Sequence, residues 1–143
     1  MRKLVPFALV VVSALVLTAV SLGAPRGMGW SATLTAAQEI PKQVVKTPAA
    51  KGAFHATLSG KTLTWKLTFS HLSGPALQAH IHLGAMGKSG NVVVPLCAPC
   101  KNGMTGKSKV TAALIKQFGK HLLYVNVHTA KNPAGEIRGQ LGG

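Results

Sequence analysis

Thr62-Leu63-Thr64-Trp65-Lys66-Leu67-Thr68-Phe69 alternates polar and apolar residues for eight positions. A strand points successive side chains to opposite faces, so this stretch predicts a strand with one buried face. Just before it, Phe54, Ala56 and Leu58 alternate with His55 and Thr57, and Gly60-Lys61 supplies a turn. Segments 52–59 and 62–70 therefore read as a β-hairpin. Working outward, Ser31–Ala37 is a first strand, and 40–51 is a loop with two prolines and no periodicity. Leu77, Ala79, Ile81 and Leu83 alternate with Gln78, His80 and His82. Asn91–Leu96 is a short apolar strand after the glycine-rich turn 84–90. Segment 107–111 is a weak strand. Thr111 is placed to cap a short helix over 112–118, ended by Gly119. His121–Thr129 and 135–141 complete seven or eight short strands. Such a series predicts an all-β fold, an antiparallel sandwich or barrel.

The chain has 143 residues, of which 47% are hydrophobic and 13% charged. That is the size of one domain and too apolar for a disordered tail. Sixteen residues are Lys or Arg, and the formal net charge is +14. The acids are Glu39 and Glu136, with no Asp anywhere. A Ser-His-Asp triad and acidic calcium or magnesium sites are thereby excluded. A glycosidase would need both glutamates as its carboxylate pair.

Residues 1–23 have the pattern of a secretory signal peptide: basic Arg2 and Lys3, an apolar run from Leu4 to Val20, then Ser21 and Gly23. The alternative is an uncleaved N-terminal membrane anchor. Residues 24–30 read as a linker and 31–143 as the functional domain. In either case the expected location is extracytoplasmic: secreted, periplasmic or cell-surface. Cys97 and Cys100 form a C-x-x-C before a turn, and export favours a disulfide between them. Reduced, they could instead join His80 and His82 around zinc.

His80 and His82 are two apart and so share a strand face. Two imidazoles in that arrangement offer one metal ion two nitrogen ligands, and imidazole suits copper and zinc. His128 lies on the polar face of a later strand and would join them if the strands are neighbours. His55 is a fourth, lesser candidate. The competing reading makes these histidines structural, ordering the glycine turn. Gly87-Lys88-Ser89 and Gly106-Lys107-Ser108 are not phosphate-binding loops, since the required first glycines are missing.

Ala79-His80-Ile81-His82-Leu83-Gly84, followed by Gly87, Gly90 and Val92–Leu96, resembles the central motif of the CHRD domain, the module first described in chordin. Tyr124-Val125-Asn126-Val127-His128-Thr129 and Gly135-Glu136-Ile137-Arg138-Gly139 resemble its C-terminal signature, and Ala36–Pro41 its usual opening. The resemblance covers about 31–143. It implies an immunoglobulin-like barrel distantly similar to copper/zinc superoxide dismutase. By that similarity His80, His82 and His128 resemble copper ligands, and Arg138 resembles an anion-guiding arginine. The zinc-site Asp and a bridging His are missing, so a non-catalytic domain with a mononuclear copper site is implied, with zinc less favoured. Glu136 and Arg138 share a strand face. Glu136 is a candidate to orient a ligand histidine and Arg138 to attract an anion; a structural ion pair is the alternative.

The lysines are spread along the chain and aromatics are few, so nucleic-acid binding is not expected. An anionic cell-surface polymer, a membrane surface or a protein partner suits the charge better.

Overall fold

The computed structural model describes residues 27–143. The segment 1–23, expected to be a signal peptide or anchor, lies outside them. Eight antiparallel strands run in chain order as β1 (Met28–Thr35), β2 (Lys51–Ser59), β3 (Thr62–Ser70), β4 (Ala76–Leu83), β5 (Val92–Cys97), β6 (Met104–Lys109), β7 (Leu123–Thr129) and β8 (Ile137–Gln140). A 3-10 turn, Ala36–Gln38, follows β1, and one helix, α1 (Ala112–Phe118), joins β6 to β7. The strands form one sheet in the order β5-β4-β7-β8-β1-β2-β3-β6. It curls into a nearly closed barrel in which β5 and β6 approach each other unpaired. The all-β architecture and the helix over 112–118 are as the sequence predicts.

The interior is built by alternation. Phe54, Ala56 and Leu58 from β2 meet Leu63, Trp65 and Leu67 from β3, with Ile81, Val125, Val127 and Ile137 across the core. Thr111 Oγ1 accepts from the Leu114 amide and starts α1, whose Phe118 packs on Trp30 with ring centroids 4.7 Å apart.

Several strand boundaries and one facing differ from expectation. β1 begins at Met28 because Met28 to Thr35 pairs along the whole of β2, which shortens the expected 24–30 linker. The weak strand lies at Met104–Lys109, where it pairs with the Thr62–Leu67 stretch of β3. In β4 a register shift between Ala76 and Gln78 buries Ala76 and turns Leu77 outward; Leu83, at the far end, is also exposed. The sheet's end strands are both irregular at their edges: β5 carries Pro95 and two register shifts against β4, and β6 carries Lys107 and Lys109.

Candidate metal centre

The outer face of β7, with His82 of β4 and Arg138 of β8 beside it, is closed to water. Pairing sets His80 opposite Asn126, His82 opposite Tyr124, and Asn126 opposite Arg138. Two loops roof this polar face. Loop 39–50 is held by Glu39 to Asn126, by Gln43 to the Glu136 carbonyl, and by reciprocal bonds between Val45 and Asn132. Loop 84–90 is held by Arg138 Nη2, which donates to the carbonyls of Ala85 and Lys88 at 3.3 and 2.8 Å. Gln140 adds a bond to the Gly84 carbonyl.

Beneath these loops His80, His82 and His128 come together. One ring nitrogen from each lies within 4.8 Å of the others. Two of the rings are oriented by backbone. His82 Nδ1 donates to the Gly90 carbonyl at 3.0 Å and His128 Nδ1 to the Pro133 carbonyl at 2.9 Å. Each neutral ring then presents a bare Nε2. His80 Nδ1 lies 3.3 Å from His128 Nε2. His82 Nε2 is buried with no hydrogen-bond partner. A buried imidazole nitrogen without a partner is disfavoured unless something binds it.

That observation tests the fit of a metal ion. Metal–nitrogen bonds of about 2.0 Å put tetrahedrally arranged donors about 3.3 Å apart, the separation of His80 Nδ1 and His128 Nε2. The third nitrogen lies within 4.8 Å of both, close enough for side-chain adjustment to complete a three-nitrogen set. The set fits a single ion bound by imidazole alone.

Burial lowers the pKa of all three rings. His80 falls from 6.5 to about 4, with the neighbouring His128 and His82 adding to the effect. His82 is lowered by burial and by the Arg138 charge, partly offset by its Gly90 bond. His128 is lowered by burial, partly offset by its Pro133 bond. Neutral imidazole is the ligand form, so burial favours metal over proton here.

The Gly90 carbonyl is fixed by more than its loop. A Cβ on Gly90 would run into the Leu83 carbonyl, and Tyr124 Oη accepts from the Gly90 amide at 3.1 Å. The Tyr124 ring stacks on His82 with centroids 4.8 Å apart, and the Arg138 guanidinium carbon lies 3.5 Å from the Tyr124 centroid. Arg138 is 2% exposed. It braces the glycine loop and the Tyr124–His82 stack.

Glu136 does not reach a histidine, and no hydrogen bond joins it to Arg138. It accepts from the Ser73 amide and from the hydroxyls of Ser73 and Thr129. Burial alone would raise its pKa, but those bonds outweigh it and hold the carboxyl below the usual range. The tautomer-setting role expected of Glu136 is filled by the Gly90 and Pro133 carbonyls, which no sequence motif announces. His55 sits exposed on β2, three strands from β7, and stands apart from the cluster. His71 and His121 occupy turns with φ of 59° and 55°. Cys97 and Cys100 are joined as a disulfide, which leaves no thiolate for a mixed zinc site and accords with an oxidising compartment.

Glu39 is the residue that sequence reading missed. It is 0% exposed. Burial raises its pKa from 4.5 to about 8, although the Asn126 bond and the Arg138 charge pull it down. Its carboxyl accepts from Asn126 Nδ2 at 3.0 and 3.1 Å. Gly135, at φ 141°, is the close neighbour of both, and a Cβ there would collide with the Asn126 amide and the Glu39 carboxyl. Its one outward signal is that the chain has so few acids to place.

A family model described as the CHRD domain matches residues 30–141. No curated protein and no solved structure matches the chain.

Proposed function

The chain belongs to the CHRD domain family, and from that premise we propose that it is an extracytoplasmic, non-catalytic metal-binding domain whose ligands are His80, His82 and His128. The observation that carries this reading is the buried, partnerless Nε2 of His82 beside two more imidazole nitrogens. Copper is the favoured ion. A three-imidazole set with neither carboxylate nor thiolate binds copper more tightly than zinc in the general order of divalent affinities. Bound there, copper would be stored, buffered or handed on. The chain's own part is to orient two rings through backbone carbonyls, keep all three neutral, and roof them with loops 39–50 and 84–90.

The test is titration of the purified protein with Cu(I) and Cu(II), zinc competing. One-to-one binding is expected, lost in His80→Ala/His82→Ala and kept in His55→Ala. Copper at about 100 times its Kd should stabilise the wild type by about 2.7 kcal/mol. Equal affinity in wild type and double variant would leave the histidines as structural groups.

A further inference from the structure

The two acids of this chain are both 0% exposed. Every lysine from Lys42 to Lys131 is exposed. The folded surface therefore carries no acidic side chain to offset its cations. Nor is any Trp, Tyr or Phe exposed among the described residues.

One face concentrates this chemistry. On the outside of β2, β3 and β6, Lys66 stands opposite His55 on one side and Thr105 on the other. Lys107 stands opposite Thr64, and Lys109 opposite Thr62, whose hydroxyl accepts from Lys109 Nζ at 2.7 Å. Lys107 and Lys109 share a face of β6 about 7 Å apart, and Lys66 on β3 is the diagonal neighbour of Lys107 at about 7–8 Å. Between and beside them the outward residues are small and hydroxylated: Thr57, Ser59, Thr62, Thr64 and Thr68. A shallow depression of about 430 Å³ on the same side is lined by Thr33, Lys51, Ala53, Thr68 and Asn102 among others.

We propose that this face docks an acidic linear polysaccharide. A group of neighbouring cations on the outside of the barrel suits a polymer with repeated anionic groups, and the hydroxyls suit its sugar oxygens. A membrane is less suited, because most of the exposed apolar residues a bilayer would take up (Val44, Val45, Leu77, Leu83, Met86 and Val92) lie off this face, and only Met28 and Met104, at strand ends, border it. A single-stranded nucleic acid is less suited, because no aromatic is exposed for base stacking. The face is remote in strand order from the histidines, so the proposal stands or falls apart from metal binding.

The experiment measures binding of the full chain to polygalacturonate across a salt series, with neutral dextran, phosphatidylglycerol vesicles and single-stranded DNA as further probes. Binding to polygalacturonate that weakens steeply with salt is expected, with none to dextran. Lys66→Gln/Lys107→Gln/Lys109→Gln should lose roughly 100-fold, at roughly 5-fold per lysine. Lys116→Gln/Lys120→Gln/Lys131→Gln removes the same charge elsewhere and should lose less than about 10-fold. Equal losses in the two variants would mean bulk charge and overturn the docking face. Tighter binding to the vesicles or to the DNA, or none to polygalacturonate, would overturn the partner.

Discussion

The hairpin β2–β3 and the strand trio β4–β7–β8 are built from the same barrel but on opposite terms. In the hairpin one face meets the core and the other meets water, so Leu63, Trp65 and Leu67 are buried while Thr64 and Lys66 are exposed. At the centre of the trio both faces are covered: β7 is buried at every residue from Leu123 to Thr129. Its inner face is apolar. Its outer face holds imidazoles, a phenol, an amide and a guanidinium under loops. The first region is stabilised by area removed from water. The second depends on each buried polar group finding a partner.

Truncation should separate the two regimes. Phe54→Ala, in the hairpin core, is expected to destabilise by about 3–5 kcal/mol, read as a lower urea midpoint with metal affinity unchanged. Glu136→Ala should cost about 1–3 kcal/mol by orphaning the Ser73 amide and the Thr129 hydroxyl. If Glu136→Ala proved neutral, the trio would be held by its apolar face alone.

The pH response sharpens the contrast, because the perturbed titrating groups belong to the trio and its loops. Glu39, raised to about 8 in the folded protein, takes up a proton on folding, so its effect is to weaken stability as pH climbs from about 4.5 to about 8. His80, lowered to about 4, with His82 and His128 also lowered, resists protonation in the fold. These rings weaken stability as pH falls from about 6.5 toward 4. The two windows overlap from about 4.5 to 6.5, where three rings outweigh one carboxyl, so metal-free protein should be most stable near the upper end of that overlap. Glu39→Gln should flatten the alkaline limb and leave the acid limb, in urea midpoints taken from pH 4 to 9. A residual slope above pH 6.5 in that variant would assign it to another group. The smallest effects belong to the hairpin's wet face, where Lys66→Thr should change stability by less than about 0.5 kcal/mol.

Sequence was most informative where water does the sorting. The period-two pattern of 52–70 gave both hairpin strands to within a residue, and Thr111 gave the helix start. β6 was misplaced because Met104–Lys109 has no apolar alternation; only its ladder to β3 makes it a strand. His80, His82 and His128 were legible as a set because i and i+2 share a face and the motifs of the family bring the third ring near. Their surroundings were not. The carbonyls of Gly90 and Pro133 carry no side-chain signature, and Glu39 reaches Asn126 across 87 positions of chain.

The barrel's unclosed seam has a bearing on crowding. A sheet with two free ends is a template for adding another strand, and molecules gathered on a matrix meet often. Here Pro95 withholds an amide on one end strand, and Lys107 and Lys109 repel a like neighbour on the other. Copies packed side by side would thus remain separate particles and resist growth into fibres even at high local density.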